Sequence, residues 1–280
     1  MRTTAIMQSR FQKVDPITFI VPVSDETVYE RCFLSSPLFT EACNHDLKFQ
    51  IIPQRGFTNG SAAFNDGLDR AEHDLIVCCH QDVVLPVMWA DWVMSQVQEL
   101  ERQGVPLGVV GCMGSDFEGN LAGHVYHRDR QMLHQEPLPV RVQTLDELLI
   151  AFRKSSGMRF DTNLPQFFGY APDLCMEAHM RGLQNFALDA PCIHETADRR
   201  LARRDIYPTW SFLQKKWKSC LPVHTPTVSI DGRYWPYLKD MIKDYLFHYT
   251  GYTPRPWWMS IPQVKRSDVL YAGCTVQQHQ

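Results

Sequence analysis

Leu75-Ile76-Val77-Cys78-Cys79-His80-Gln81-Asp82-Val83-Val84 is the stretch on which the fold turns. Leu75–Cys79 is an unbroken apolar run of strand length, which predicts a short buried strand. The polar triplet His80-Gln81-Asp82 follows at once, and the chain turns at Pro86. In open α/β sheets ligands bind outside the carboxyl ends of the strands, so Asp82 falls where a ligand-binding carboxylate would stand. A carboxylate also caps a turn, and the surrounding chain has to decide between the two.

Upstream, Ile17-Thr18-Phe19-Ile20-Val21-Pro22-Val23 is rich in β-branched residues and predicts a first strand. Ser24-Asp25-Glu26 carries helix-capping chemistry, and a helix is expected to about Ser35. Residues Asp46 to Ile52 alternate polar and apolar as a second strand. The loop Gly56-Phe57-Thr58-Asn59-Gly60-Ser61 opens a helix through Ala62, Ala63, Phe64, Leu68 and Ala71. Downstream, Trp89 to Leu100 has helical periodicity and stops near Gly104. Leu107 to Gly114 forms a fourth strand whose glycines imply close backbone packing or a bulge. Strand, helix, strand, helix, strand is the order of a mostly parallel sheet with covering helices. No GxGxxG precedes a helix, so a dinucleotide fingerprint is not supported.

Beyond this core, Ser115 to Val142 is polar and irregular. Its His124, His127 and His134, three histidines in eleven residues, could be metal ligands, but they match neither zinc-helix nor finger spacing and are expected to be scattered surface histidines. Thr144 to Lys154 fits a strand or a helix equally. Leu174 to Arg181 is expected to be a helix that ends at Gly182, with Asp173 at its start, where free amides and the dipole favour a carboxylate. Phe186 to Ile193 predicts a last strand, with His194 at its end.

The whole chain bounds the function. Its 280 residues suffice for one large α/β domain or two smaller ones, and 44% hydrophobic with 21% charged residues is ordinary for a folded protein. A net charge of −3 and a pI near 6.4 exclude broad electrostatic capture of nucleic acid. The nine cysteines are scattered, form no CxxC pair and partly lie in apolar runs, so neither a zinc site nor a disulfide framework is expected. A cytoplasmic protein is expected, without an apolar signal core after Arg2 or a run of about 20 apolar residues, though peripheral membrane contact stays open.

With these residues in order, residues Thr18 to Trp217 resemble family-2-like glycosyltransferases with the GT-A fold. The strand Phe19–Val23 and the segment after it resemble the nucleotide-base side, which implicates Pro22 and Ser24. Asn59 to Leu68 resembles the helix beside the nucleotide and implicates Asn59 and Asn65. His80-Gln81-Asp82 stands in place of the Asp-x-Asp metal motif, as in a subgroup that keeps only the final Asp. Phe160-Asp161 and Tyr170-Ala171-Pro172-Asp173-Leu174-Cys175 resemble the acceptor-side motif, and His194 resembles a histidine that completes the metal site.

The resemblance implies an α/β, Rossmann-like three-layer fold with a mostly parallel mixed sheet. It also implies a metal-dependent transferase that moves a sugar from a nucleotide-sugar donor to a glycan or lipid-linked acceptor with inversion. Asp82 and His194 would hold Mn²⁺ or Mg²⁺, hard cations that suit oxygen ligands at a diphosphate. His80 and Gln81 would contact the donor, and Asp173 would be the general base. Asp161 would orient an acceptor hydroxyl or close the turn before Pro165. Arg199 and Arg200, with Arg203 and Arg204, suggest a phosphate-gripping lid or a solvated helix face. Lys215-Lys216-Trp217 would close over the diphosphate or cover the edge of the core. A nucleotidyltransferase, or a non-catalytic nucleotide- or carbohydrate-binding protein on the same fold, is the alternative.

A catalytic domain is expected over residues 1–222 and an aromatic-rich extension over 223–280. There Tyr234, Tyr237, Leu238, Met241, Ile242, Tyr245, Leu246 and Tyr249 keep helical spacing, and Trp257-Trp258-Met259 lies beyond them. This extension would pack on the domain, form a homo-oligomer contact or touch a membrane, in that order.

Overall fold

The computed structural model describes residues 15–41, 47–127, 130–132, 137–195, 203–233, 238, 242 and 265–272. The extension's helical aromatic stripe and Trp257-Trp258-Met259 fall almost wholly outside them, as do His134, Arg199 and Arg200.

Three strands from the amino-terminal half start the sheet: β1 (Ile17–Pro22), β2 (Phe49–Gln54) and β3 (Leu75–Cys79). β1 lies between the other two and is parallel to both. After a short β4 (Val83–Val84), β5 (Leu107–Gly111) returns to the main sheet. Short pieces follow as β6 (Met113–Ser115), β7 (Leu121–Gly123), β8 (Val125–His127) and β9 (Arg130–Met132), then β10 (Val140–Val142) and β11 (Thr144–Leu145). β12 (Leu149–Arg153), β13 (Gln184–Ala187) and β14 (Ile193–His194) complete the set. The main sheet has the order β10-β13-β5-β12-β3-β1-β2, with β12 antiparallel to both its neighbours and β10 antiparallel to β13. It is therefore mixed, with three parallel and three antiparallel pairings, and five of its seven strands run in one direction.

The apolar alternation of each strand explains three layers. Phe19, Leu75, Val77, Leu149 and Ala151 point to one face, where they meet Trp89, Val93 and Val97 of helix α2 (Trp89–Arg102). Ile20, Ile76, Cys78, Ile150 and Phe152 point to the other, against Phe64 and Leu68 of helix α1 (Gly60–Arg70) and Leu174 and Cys175 of helix α3 (Tyr170–Met180). These positions are almost wholly buried, and burying each large aliphatic or aromatic side chain contributes roughly 1.5–3 kcal/mol. Helix α1 approaches β1 closely because Gly67 has no side chain. A Cβ there would collide with Ile20 Cγ2 and come within 2.9 Å of Gln54 Nε2.

Several segments differ from their sequence reading. The ambiguous stretch Thr144 to Lys154 is strand, in two pieces. Leu107 to Gly114 is broken at Cys112: β5 stays in the main sheet, and β6 leaves it to pair with β7 and β11. Close packing of its glycines holds, since a Cβ on Gly111 would lie 2.7 Å from the Leu149 carbonyl oxygen. The stretch read as irregular contains β7 to β10. Residues Phe186 to Ile193 divide into β13 and β14.

Helix α3 starts at Tyr170 rather than Leu174. Gly169 enters it at φ 79°, in the left-handed region open to glycine. Pro172 sits in the first turn, where a missing N–H is harmless. Asp173 is thus inside the first turn and buried, and not the residue that caps the helix.

Helix α4 (Arg203–Lys216) follows β14, and the chain beyond it stays in the same core, with Val223 and Ile230 bridged to each other and packed on the α1/α3 face. Residues 265–272 dock near β4 and β14: Val269 packs on Cys32, Val84 and Ile193, Val87 N–H donates to the Leu270 carbonyl at 2.9 Å, and Tyr271 hydroxyl donates to Glu41.

Candidate functional site

β3 ends at Cys79, and the loop it delivers is fixed at both ends. His80 N–H donates to the Leu148 carbonyl at 3.0 Å, and Glu195 N–H donates to the Asp82 carbonyl at 2.9 Å. β4 pairs antiparallel with β14, setting Val83 opposite His194. This pairing brings the far end of the chain to the triplet. His194 Nε2 lies 3.2 Å from Asp82 Oδ2, and His80 Nδ1 lies 3.9 Å from Asp82 Oδ1. One ligand atom from each of His80, Asp82 and His194 can be chosen so that all lie within 4.8 Å of one another. Two imidazoles and one carboxylate so placed fit a divalent cation of the Mn²⁺ kind, which accepts both nitrogen and oxygen ligands.

The protonation of the group suits that use. Burial pushes the Asp82 carboxyl up, but the hydrogen bond from His194 and the charges of His194 and His80 outweigh it and hold Asp82 below the usual carboxylate range. Burial pushes His80 down, favouring the neutral ring. The tautomer is set by Tyr170, whose hydroxyl donates to the Glu147 carbonyl at 2.8 Å and therefore accepts from His80 Nε2 at 3.1 Å. Nδ1 then keeps its lone pair on the Asp82 side, the arrangement in which a second residue orients a ligand.

Gln81 turns the other way. Its Oε1 accepts from the backbone amides of Ser24 at 2.8 Å and Asp25 at 3.0 Å, and its Nε2 donates to Ser24 Oγ at 3.0 Å. The loop after β1, with Pro22 at its start and Ser24 exposed, is thereby tied to the triplet. Asn59 and Asn65 are engaged inside the fold. Asn59 Oδ1 caps helix α1 through Ala62 N–H at 2.9 Å, and Asn65 exchanges two hydrogen bonds with the backbone of Phe160, at 2.8 and 3.0 Å.

Asp173 is 3% exposed. Its Oδ1 accepts from Trp217 Nε1 and its Oδ2 from Lys216 Nζ, each at 2.8 Å. Lys216 also reaches Asp161 Oδ2 at 2.8 Å, while Asp161 Oδ1 accepts from the amide of Asn163 at 3.0 Å and closes the turn before Pro165. Burial raises the Asp173 carboxyl despite Lys216 and Trp217. This cluster straps helix α4 to helix α3 through Lys216 and Trp217. For Arg203 and Arg204 only the helical backbone is described.

Three residues at the site were not singled out as site residues by the sequence reading. Tyr170 orients His80. His127 is expected on the surface, yet the parallel pairing of β8 with β14 sets it beside His194, ring centroids 5.3 Å apart. Glu147 lies beneath Tyr170 in the turn before β12. The acidic pair Asp146-Glu147 is visible in the sequence, but its position depends on β12 running antiparallel to β3, with Leu149 opposite Cys79.

The chain is similar to a protein of Fuscovulum blasticum described as ATP synthase subunits region ORF 6, 23% identical over 233 residues, which cover 74% of this chain and 91% of that one. Among solved structures it is similar to the mannosyltransferase PcManGT from Pyrobaculum calidifontis in complex with GDP-Man and Mn²⁺. That match has 14% identity, 89% and 76% coverage of the two chains, and a TM-score of 0.47. It is also similar to GalNAc-T7 with UDP, GalNAc and Mn²⁺, at 10% identity, 86% and 57% coverage and a TM-score of 0.45. The model of the glycosyltransferase-like family matches residues 18–215, some seven-tenths of the sequence, and the chain belongs to that family.

Proposed function

We propose that this protein is a metal-dependent, inverting glycosyltransferase that uses a nucleotide-sugar donor and a glycan or lipid-linked acceptor. The observation that carries the reading is the convergence of Asp82, His80 and His194 at the carboxyl end of β3, inside a chain of a glycosyltransferase-like family. Asp82 and His194, with His80 Nδ1, would hold the cation. When bound, it would neutralise the charge that gathers on the departing diphosphate. The loop after β1, held by Gln81, would take the nucleotide. The packed Asn59 and Asn65 would shape that wall rather than reach the donor. A lid role for Arg199 and Arg200 stays part of the proposal on sequence grounds alone.

Asp173, expected as the base, is tied up by Lys216 and Trp217, and we infer that it anchors helix α4. Inversion is supported by the shape of the chemistry: a single displacement needs one base and no protein nucleophile. Among the described residues no helix is long and apolar enough to cross a membrane.

The test is calorimetric titration of the full chain with GDP and with UDP, each with and without Mn²⁺, followed by a panel of nucleotide sugars scored for metal-stimulated hydrolysis. Binding that needs Mn²⁺, together with hydrolysis of one donor, supports the transferase. Metal-independent binding without hydrolysis of any donor would leave a non-catalytic binding module.

A further inference from the structure

With Asp173 read as the anchor of helix α4, the acceptor's proton needs another destination, and Glu147 adjoins the cation-binding group through Tyr170. Glu147 sits in the turn between β11 and β12. Only the Tyr170 hydroxyl separates its carbonyl from the His80 ring. The first backbone amides of helix α3, those of Gly169, Tyr170 and Ala171, point at its side chain and favour its charged form. Its Oε1 is shut away from solvent and has no hydrogen-bond partner among the described residues. A buried carboxyl oxygen without a partner is costly, and a ligand hydroxyl is the partner that would relieve it.

We propose that Glu147 is the general base of the transfer, taking the proton of the acceptor hydroxyl. This rests on the donor-binding reading above. In the step, the acceptor oxygen forms its bond to the anomeric carbon, and the bond from that carbon to the diphosphate oxygen breaks. The bonding pair leaves with the diphosphate, and the hydroxyl proton passes to a Glu147 carboxylate oxygen. The groups acting on Glu147 are consistent with this. Burial pushes its carboxyl up to about 8 from an ordinary 4.5, the neighbouring Asp146 charge adds to the rise, and the three amides oppose it. The Tyr170 hydroxyl, itself raised well above its ordinary value by burial, stays neutral. A base works best when its pKa lies near the operating pH.

The experiment uses the full chain with Mn²⁺ and the nucleotide sugar it hydrolyses, water standing in for the acceptor. Glu147→Gln should keep Mn²⁺-dependent binding of the nucleoside diphosphate within about threefold and lower the hydrolysis rate by roughly 10²–10⁴-fold, the range for a lost general base. The wild-type rate should climb about tenfold per pH unit below about 8 and level off above it, and Glu147→Asp should restore part of the rate along with its pH dependence. Unchanged hydrolysis in Glu147→Gln would overturn the assignment, and so would loss in Asp146→Asn with retention in Glu147→Gln. If the wild type shows no Mn²⁺-dependent nucleotide binding, the transferase reading fails, and this assignment fails with it.

Discussion

His194 Nε2 stands 3.2 Å from Asp82 Oδ2, although one residue follows β3 and the other ends β14, more than a hundred residues later. The β4–β14 pairing makes this contact, so the two residues are held by backbone rather than by flexible side chains. Asp82 supplies the only carboxylate of the trio, and losing it leaves two imidazoles facing a cation with no anionic ligand among the three. Asp82→Ala should therefore reduce the Mn²⁺-dependent part of nucleoside diphosphate binding by about 100-fold or more, and His194→Ala by about 10-fold or more. Calorimetry with and without Mn²⁺ measures both. Affinity that Mn²⁺ enhances equally in Asp82→Ala and the wild type would remove Asp82 from the metal site.

Tyr170→Phe tests the orientation of His80 separately from its presence. The lost hydroxyl leaves the Glu147 carbonyl without its donor and frees the His80 ring to turn. Outer partners of metal ligands typically matter by 10–100-fold in affinity, so Mn²⁺ affinity should fall about 10-fold or more. The unpaired carbonyl should cost about 1–3 kcal/mol of stability. A titration of Mn²⁺ followed by paramagnetic relaxation, alongside thermal melts, reads the two effects.

The large sheet and its layers were legible because the alternation in Phe19, Ile20, Ile76 and Val77 fixes which side chain meets which helix. The triplet and His194 were legible because they lie directly at strand ends. Glu147 was not. Thr144 to Lys154 mixes apolar and polar residues without a clean period, and only its antiparallel pairing with β3 turns its amino end toward the site. His127 was hidden for a similar reason, since a parallel ladder between β8 and β14 has no local signature. The partners of Asp173 were not legible, because a carboxylate in the first turn of a helix looks the same in sequence whether it faces solvent or Lys216 and Trp217.

Lys216→Met should destabilise the protein without touching the metal group. Asp173 would keep one partner, Trp217, for a carboxylate that is almost fully buried. Breaking a buried pair from one side costs about 3–5 kcal/mol, and partial exposure of Lys216 places the expectation at the lower end. The deficit has a pH sign. Without the lysine the Asp173 carboxyl, already raised by burial, rises further, so proton uptake relieves the buried charge. The loss should be largest toward neutral pH and shrink as pH falls to the ordinary carboxylate range. Denaturant midpoints of the two proteins across that range, with Mn²⁺-dependent nucleotide binding as the control, decide it. Equal loss of binding and stability would place Lys216 at the donor instead.

Glu147→Gln should raise stability while it lowers activity. In the folded protein burial, with the Asp146 charge adding, holds the carboxyl up at about 8, against an ordinary 4.5 in the unfolded chain. Between those values the unfolded chain releases a proton that the folded one keeps, so stability falls as pH rises through the window. Glutamine keeps the shape and cannot ionise, which frees the variant from that penalty. The two proteins should have similar denaturation midpoints at about pH 5. At about pH 8 the variant should be more stable by a few kcal/mol at most, and each kcal/mol corresponds to about 2–4 °C in a chain of this size. Melting curves at the two pH values check the difference. An advantage equal at both pH values would show that Glu147 is not held neutral by its surroundings. An advantage confined to high pH would mark a carboxyl kept at a cost to the fold, as expected of a group that serves the reaction.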